Sequence, residues 1–194
     1  MLCPFGDAKT TGRIIDDSFE RSLTLKFAEE LEKIIESQNK KRVEVVLNRT
    51  PGEILEPLQN ANFANRLDVD FFLSIHFFKE NGARPKAYLF SYTNDIYPTS
   101  LKQDLSFVSF DEAFRINLNK TKKYAELFAN SLNQEKNKYN FDFKNHLNIP
   151  YKPLSGIKTP ALAFEASLKN SADWKQYLEP VCEALNSLIQ KTYE

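Results

Sequence analysis

The sequence predicts a single α/β domain with a mainly parallel, twisted sheet flanked by helices on both faces. Two observations support this prediction. Short apolar runs typical of buried strands alternate along the chain with segments whose apolar residues recur at helical spacing. No proline- or glycine-rich linker interrupts the 194 residues, so residues 1–194 are expected to form one domain.

The first half of the chain alternates helix and strand. Ser18 is a suitable N-cap for a helix whose apolar residues recur every three or four positions over residues 19–35. The β-branched run at residues 43–47 predicts a strand. A helix over about residues 57–67 and an apolar strand over residues 71–75 are expected to follow.

The second half continues the alternation. Residues 86–92 predict a strand, and the stretch 94–117 that follows it has no motif. A helix with its apolar face around Tyr124 comes next. Residues 161–164 predict a short buried strand, and an apolar stripe over residues 174–188 predicts the last helix.

Composition excludes several classes of function. The chain has 26 lysines and arginines and 26 aspartates and glutamates, so its formal net charge is zero. It therefore lacks the basic excess that would bind nucleic acid or anchor it to an anionic membrane. Its apolar runs are too short to span a bilayer, and Cys3 and Cys182 do not form a disulfide framework. The first residues show no signal peptide, so we expect either a cytosolic protein or a chain that starts after such a segment.

Three polar side chains interrupt the apolar pattern where it should be strongest. Glu20 shares the buried face of the first helix and lies in its first turn, whereas His76 and Glu165 each follow an apolar strand. In open α/β sheets, ligands bind at the carboxyl ends of the strands, where the following helices also begin. The three residues are therefore expected to converge. Two carboxylates and an imidazole suit a divalent metal or an acid/base pair.

Each of these residues also has a purely structural interpretation. A carboxylate such as Glu20 in a first helical turn interacts favourably with the helix dipole. A single buried histidine such as His76 is commonly a hydrogen-bonded structural residue. Glu165 is harder to explain in this way, because a carboxylate that closes a core strand needs a partner or water. The expected convergence favours a functional role for all three.

Three stretches of the chain carry motifs. Residues 45–50 read VVLNRT; residues 64–65 read AN, and DFFLSIH follows at 70–76; residues 160–165 read PALAFE, with an asparagine and an aspartate shortly after. They are similar to the motifs V-x-L-T-R, A-N…A-D-x-F-x-S-I-H and P-A-x-L-x-E…N…D. The sequence thereby resembles the zinc-dependent N-acetylmuramoyl-L-alanine amidases, which cut bacterial peptidoglycan.

The resemblance implies roles for the three converging residues. Glu20 and His76 would be zinc ligands, and Glu165 the catalytic carboxylate. In such a site the metal activates a water molecule, and the carboxylate accepts its proton and passes a proton to the departing amine. The substrate would be peptidoglycan or a muropeptide, cut between muramic acid and L-alanine. The location would be the cell envelope, either the periplasm or the exterior.

The sequence also departs from the family pattern. The first strand of the family ends in D-P-G-H-G-G, whose histidine is a third zinc ligand. Here residues 3–8 read CPFGDA, and little of that strand precedes them. Asp7 is a candidate third ligand, because carboxylates bind zinc; alternatively, it is a turn aspartate bonded to its own backbone. His146 and Cys3 are weaker candidates. Phe78 replaces an asparagine of the family.

Two hypotheses of function follow. In the first, the chain is a divergent zinc amidase with Glu20, His76 and Asp7 on the metal and Glu165 as the base. In the second, it is a pseudoenzyme that keeps the fold and binds peptidoglycan, or regulates a partner, without zinc. The third ligand distinguishes the two hypotheses, and the acid at the end of a buried strand favours the enzyme.

Overall fold

The computed structural model describes residues 1–39, 42–56, 58–82, 84–94 and 108–193. The strands are β1 (Leu2–Pro4), β2 (Ile14–Ile15), β3 (Ser18–Phe19), β4 (Phe72–Lys79), β5 (Lys86–Tyr92), β6 (Asp142–Ile149) and β7 (Ala161–Leu168). The α-helices are α1 (Glu20–Asn39), α2 (Gln59–Leu67), α3 (Leu118–Leu132) and α4 (Leu178–Tyr193). None of the described helices is long and apolar enough to cross a membrane.

Five strands form the central sheet in the order β1-β4-β7-β5-β6. Strands β1, β4 and β7 are parallel to one another, β5 is antiparallel to β7, and β6 is parallel to β5. Strands β2 and β3 form a separate two-stranded ribbon just before α1. The predicted α/β class with a mainly parallel sheet is confirmed.

Helices cover both faces of this sheet. Helices α1, α3 and α4 pack on one face around a core that includes Phe27, Phe128 and Tyr177. Helix α2 covers the other face through Ala61 and Ala64, in a second, smaller cluster. The alternation of side chains along each strand supplies apolar groups to both clusters.

The sequence prediction fails at residues 43–47. Instead of a strand, this segment carries an isolated parallel bridge between Leu2 and Leu47. Its hydrogen bonds run from Leu2 N to Val46 O (2.8 Å) and from Asn48 N to Leu2 O (3.2 Å). Because β1 is only three residues long, its outer edge offers little backbone for a longer ladder.

Other differences are local. Ser18 lies in β3 rather than at the helix cap, and α1 begins at Glu20. His146, a weaker ligand candidate, lies in strand β6, and its Nε2 is 3.0 Å from Ser91 Oγ. Most of the 94–117 stretch, residues 95–107, lies outside the described residues.

Phe27 anchors α1 to the sheet. Its side chain is fully buried, and its ring lies 5.4 Å from that of Phe77 in an edge-to-face contact. The indole of Trp174 is 6.3 Å away. This contact holds α1 against the sheet. Because Glu20 is the first residue of α1, packing of the core also fixes the position of Glu20.

We expect Phe27→Ala to lower the free energy of unfolding by about 3–5 kcal/mol, because it deletes a buried aromatic ring and leaves a cavity. The measurement is chemical denaturation monitored by circular dichroism. Lys26→Ala, at the exposed neighbouring position, is the matched control and should leave stability nearly unchanged. Equal effects of the two variants would contradict the assigned core.

Candidate active site

The site lies on β4 and β7 beside the start of α1. The prediction that His76 and Glu165 follow the ends of their strands is wrong, because β4 continues to Lys79 and β7 to Leu168. The parallel register of these strands pairs His76 with Glu165. Glu20, the first residue of α1, accepts a hydrogen bond at Oε1 from the backbone N–H of Phe77 (3.0 Å). The Nδ1 atom of His76 is 3.8 Å from the same Glu20 oxygen. The structure thus brings Glu20, His76 and Glu165 together.

Glu20 is almost completely buried, with 1% of its surface exposed. Its Oε2 accepts a hydrogen bond from the backbone N–H of Arg13 (3.1 Å), and its own N–H donates to Arg13 O (2.8 Å). Burial raises the pKa of Glu20, although these backbone donors and the Arg13 charge oppose the shift. The Glu20 carboxylate therefore connects helix α1 to the loop of Arg13 and to strand β4 through hydrogen bonds.

His76 is also buried, between the rings of Phe5 and Tyr151, whose centroids lie 4.8 Å and 5.6 Å from its own. Its Nε2 is 2.8 Å from Ser74 Oγ. Burial, assisted by the nearby Arg13 charge, lowers the pKa of His76 to about 3. The imidazole is therefore neutral at physiological pH, and it presents Nδ1 to Glu20.

Arg13 is the residue of the site that sequence reasoning missed. Its Nη1 donates to Glu165 Oε1 (2.6 Å) and to the backbone oxygen of Phe77 (3.3 Å), and it lies 4.0 Å from Glu20 Oε1. The Arg13 side chain is half exposed and that of Glu165 is 13% exposed. Arg13 follows a glycine in a loop without periodicity or motif, so no pattern in the sequence marks it.

The structure does not bring Asp7 to Glu20 and His76. Its Oδ1 accepts hydrogen bonds from the backbone N–H groups of Lys9 (2.8 Å) and Thr10, and its Oδ2 accepts from Leu55 N (2.9 Å). Burial tends to raise the pKa of this carboxyl, but the backbone donors outweigh it and the pKa is lowered. Asp7 thus has the geometry of the turn aspartate that was the alternative interpretation.

Cys3 is no better placed as a ligand. It is buried in the smaller apolar cluster, and burial raises the pKa of its thiol to about 12. A thiol must lose its proton to bind zinc, so this environment disfavours ligation.

Several motif residues serve to support the site. Arg49 is buried, and its guanidinium donates to the carbonyl oxygens of Pro4 (3.3 Å) and Arg21 (2.8 Å), joining β1 to α1. Asn65 holds the segment before β7, since its side chain bonds Gly156 O (2.8 Å) and Lys158 N (2.9 Å). These contacts explain why the motifs contain polar residues, such as Arg49 and Asn65, that are not part of the candidate active site.

An open cleft of about 630 Å³ adjoins the site. It is lined by Arg13, Ile14, Phe78, Lys79, Tyr88, Phe90, Leu147 and Glu165. Glu165 is thus reachable from the cleft, while Glu20 and His76 lie in the buried layer behind it. The cleft combines aromatic walls with two cations and a carboxylate.

The residues present do not fit a catalytic zinc ion. Such an ion usually has three protein ligands, and the described part of the chain contains no group of three or more histidine, cysteine, aspartate or glutamate side chains that could hold a metal. Glu20 and His76 face each other, with 3.8 Å between Glu20 Oε1 and His76 Nδ1. The charged group beside them is the Arg13 guanidinium, which repels a second cation.

The sequence model of a protein family, the N-acetylmuramoyl-L-alanine amidases, matches residues 6–185. The chain belongs to this family. Its members hydrolyse an amide bond of peptidoglycan and are generally zinc-dependent. The resemblance inferred from the sequence motifs is confirmed, and the chain is a peptidoglycan amidase by family and by fold.

Solved amidases share the fold over nearly the whole chain. The catalytic domain of CwlV from Bacillus (Paenibacillus) polymyxa var. colistinus is 19% identical, with a TM-score of 0.63, covering 99% of this chain and 96% of that one. AmiC2 of Nostoc punctiforme is 15% identical, with a TM-score of 0.70 and coverage of 97% and 95%.

CwlD from Clostridioides difficile, solved in complex with the GerS lipoprotein, is 16% identical, with a TM-score of 0.66 and coverage of 98% and 95%. At such identities these structures establish the fold alone. No curated protein matches the chain significantly in sequence.

We expect Asp7→Ala to lower the free energy of unfolding by about 1–3 kcal/mol, because it removes the acceptor of three backbone N–H groups. The folded-state pKa of Asp7 is lowered, so its contribution is present at neutral pH and is lost as the pH falls below about 4. Denaturation at neutral and acidic pH measures both effects.

Asp17→Ala, at an exposed position in the turn between β2 and β3, is the control. It should leave the free energy of unfolding unchanged at both neutral and acidic pH. A loss of bound metal in Asp7→Ala, with stability unchanged, would contradict the turn role and restore Asp7 as a ligand.

Proposed function

We propose that this chain hydrolyses the amide bond between the lactyl group of N-acetylmuramic acid and L-alanine, with Glu165 as the residue that transfers the proton. One observation supports this assignment above the others. Glu165 lies within the buried strand β7, yet it lines the open cleft together with Arg13 and Lys79. A carboxylate in that position reaches a bound substrate without leaving the core.

The chemistry assigned to Glu165 is general base and then general acid catalysis. Water attacks the amide carbonyl carbon while the carboxylate accepts a proton from that water. The carbon–nitrogen bond then breaks, and the proton passes to the departing amine of L-alanine. Arg13 bonds Oε1 of Glu165 and orients the carboxylate, so Oε2 is the oxygen assigned to the water.

The cleft suits a glycopeptide. Phe78, Tyr88 and Phe90 provide rings against which a sugar or peptide can pack, and Lys79 and Arg13 provide positive charge for the carboxylates of a stem peptide. Peptidoglycan is an envelope polymer, so we propose that the protein acts in the bacterial cell envelope. Zinc ligation by Glu20 and His76 is not part of the proposed mechanism, because the residues that the structure describes supply no third ligand beside them.

A second candidate function is binding of peptidoglycan without hydrolysis. It is favoured by the 2.6 Å contact between Arg13 and Glu165, which holds the catalytic carboxylate in an ion pair. The same cleft would then serve as a recognition surface. The two candidates predict the same ligand and differ in turnover.

Glu165→Gln tests the proposal. We expect at least about a hundredfold loss in the release of L-alanyl peptide from a muropeptide, since general acid–base catalysis contributes about 10²–10⁴-fold. Muropeptide affinity and thermal stability should stay close to wild type. The release is followed by chromatography and mass spectrometry.

Glu30→Gln is the matched control, because Glu30 is also an ion-paired carboxylate, 2.9 Å from Lys33, but lies on the exposed surface of α1. Turnover that is unchanged in Glu165→Gln would refute the assignment of Glu165. A wild-type protein that binds muropeptides without releasing peptide would establish the binding function instead.

A further inference from the structure

We infer that the Arg13 guanidinium takes the place of the metal ion in this site, as a fixed cation that pairs with Glu165, faces Glu20 and keeps a divalent cation out. The inference deepens the proposed function, on which it rests for the identity of the site. It concerns the source of positive charge in the crevice between Glu20, His76 and Glu165. Zinc binding tests it, and no measurement of turnover is needed.

The position of Arg13 carries the first part of the argument. A zinc ion bound to Glu20 Oε1 and His76 Nδ1 would lie about 2.0–2.2 Å from each. These two atoms are 3.8 Å apart, so an ion between them is geometrically possible. However, Arg13 Nη1 lies 4.0 Å from the same Glu20 oxygen and already bonds Glu165. A zinc ion would share a low-dielectric crevice with a permanent positive charge.

Charge balance supplies the second part. Glu20 and Glu165 both point toward this crevice, and the buried carboxylate of Glu20 needs compensation. A guanidinium keeps its proton at every physiological pH, so it supplies that compensation within the chain itself. Part of the positive charge that a bound metal would bring to the site is therefore already present.

The loop that carries Arg13 is shaped to hold it there. The backbone of Arg13 exchanges two hydrogen bonds with Glu20, at 3.1 Å and 2.8 Å. Gly12, at φ +74°, lies so close that a Cβ would be 2.8 Å from both Cβ and Oε2 of Glu20. A side chain at position 12 would force the loop away, so glycine is required for Arg13 to reach the crevice.

Phe78 contributes to the same arrangement. Its ring centroid is 5.7 Å from the guanidinium carbon of Arg13, within the range of a cation–π contact. Phe78 stands where the resembling family has an asparagine, and the histidine expected before Asp7 is missing. Both departures are accounted for if the site is built around a guanidinium rather than a metal.

The guanidinium also offers chemistry to the proposed reaction. Arginine has five N–H donors in a planar fork, and the contacts to Glu165 and Phe77 are made by Nη1. Arg13 also lines the open cleft. It is placed to donate hydrogen bonds to an amide carbonyl oxygen as negative charge develops on it.

The test compares wild type, Arg13→Gln, Arg13→Lys and the control Arg84→Gln. Arg84 is a matched control because it is also half exposed and ion-paired, 3.2 Å from Asp142, far along the sheet. Each protein is stripped with chelator and dialysed against micromolar zinc. Metal per chain is measured by elemental analysis, and thermal unfolding is recorded with and without zinc.

We expect wild type, Arg13→Lys and Arg84→Gln to retain no stoichiometric zinc and to unfold at the same temperature with zinc or chelator. Arg13→Gln should bind zinc at least about tenfold more tightly than wild type, because it removes the positive charge that opposes a cation beside Glu20 and His76. Zinc should raise the unfolding temperature of that variant only.

Two results would overturn the inference. One is wild-type protein that holds about one zinc per chain and is destabilised by chelator, a result that needs no variant. The other is folded Arg13→Gln that binds zinc no better than Arg84→Gln. Neither depends on turnover: an inactive wild type that excludes zinc would refute the proposed function and leave the role of Arg13 intact.

Discussion

The parallel pairing of β4 with β7 determines where every functional group of the crevice lies. It sets His76 opposite Glu165, and it places the N–H of Phe77 where Glu20 can accept it. A slip of one residue in this register would turn one of these two side chains to the opposite face of the sheet. The apolar residues that alternate with them hold the register, since they are buried in the cores on both sides. The core is therefore what specifies the site.

Glu20 is the second constraint, because a carboxylate buried this deeply is tolerated only where donors and positive charge surround it. Two backbone N–H groups and the Arg13 guanidinium provide that environment. Helix α1, the loop that carries Arg13 and strand β4 are thus joined by the Glu20 side chain. Substitution of Glu20 or of Arg13 changes the electrostatic environment of the other residue. The effects of the two substitutions on the free energy of unfolding should therefore not be additive.

Sequence reasoning located the parts of the site that lie on regular elements. Glu20, His76 and Glu165 are visible because each interrupts an apolar pattern whose period is set by a helix or a strand. Asp7 and Arg13 lie in a loop, where no period links a residue to its neighbours in space. The long-range partner of Asp7 is Leu55 N and that of Arg13 is Glu165 Oε1, at sequence separations of 48 and 152. Such contacts follow from the fold and not from local spacing.

The same reasoning explains the failure at residues 43–47. Their β-branched composition favours an extended chain, but a strand also needs a partner, and β1 is only three residues long. Local propensity described the segment, whereas the length of its neighbour decided its structure.

A guanidinium and a zinc ion are not equivalent as sources of charge. Zinc lowers the pKa of a bound water to about 7, whereas a guanidinium orients and polarises through hydrogen bonds alone. In a site built on Arg13, deprotonation of the attacking water depends entirely on Glu165. The ion pair with Arg13 positions this carboxylate and occupies its Oε1, which leaves Oε2 for the water. Hydrolysis requires that free oxygen, whereas ligand binding requires only the charges that Arg13 and Glu165 present to the cleft, so the same ion pair bears on both candidate functions.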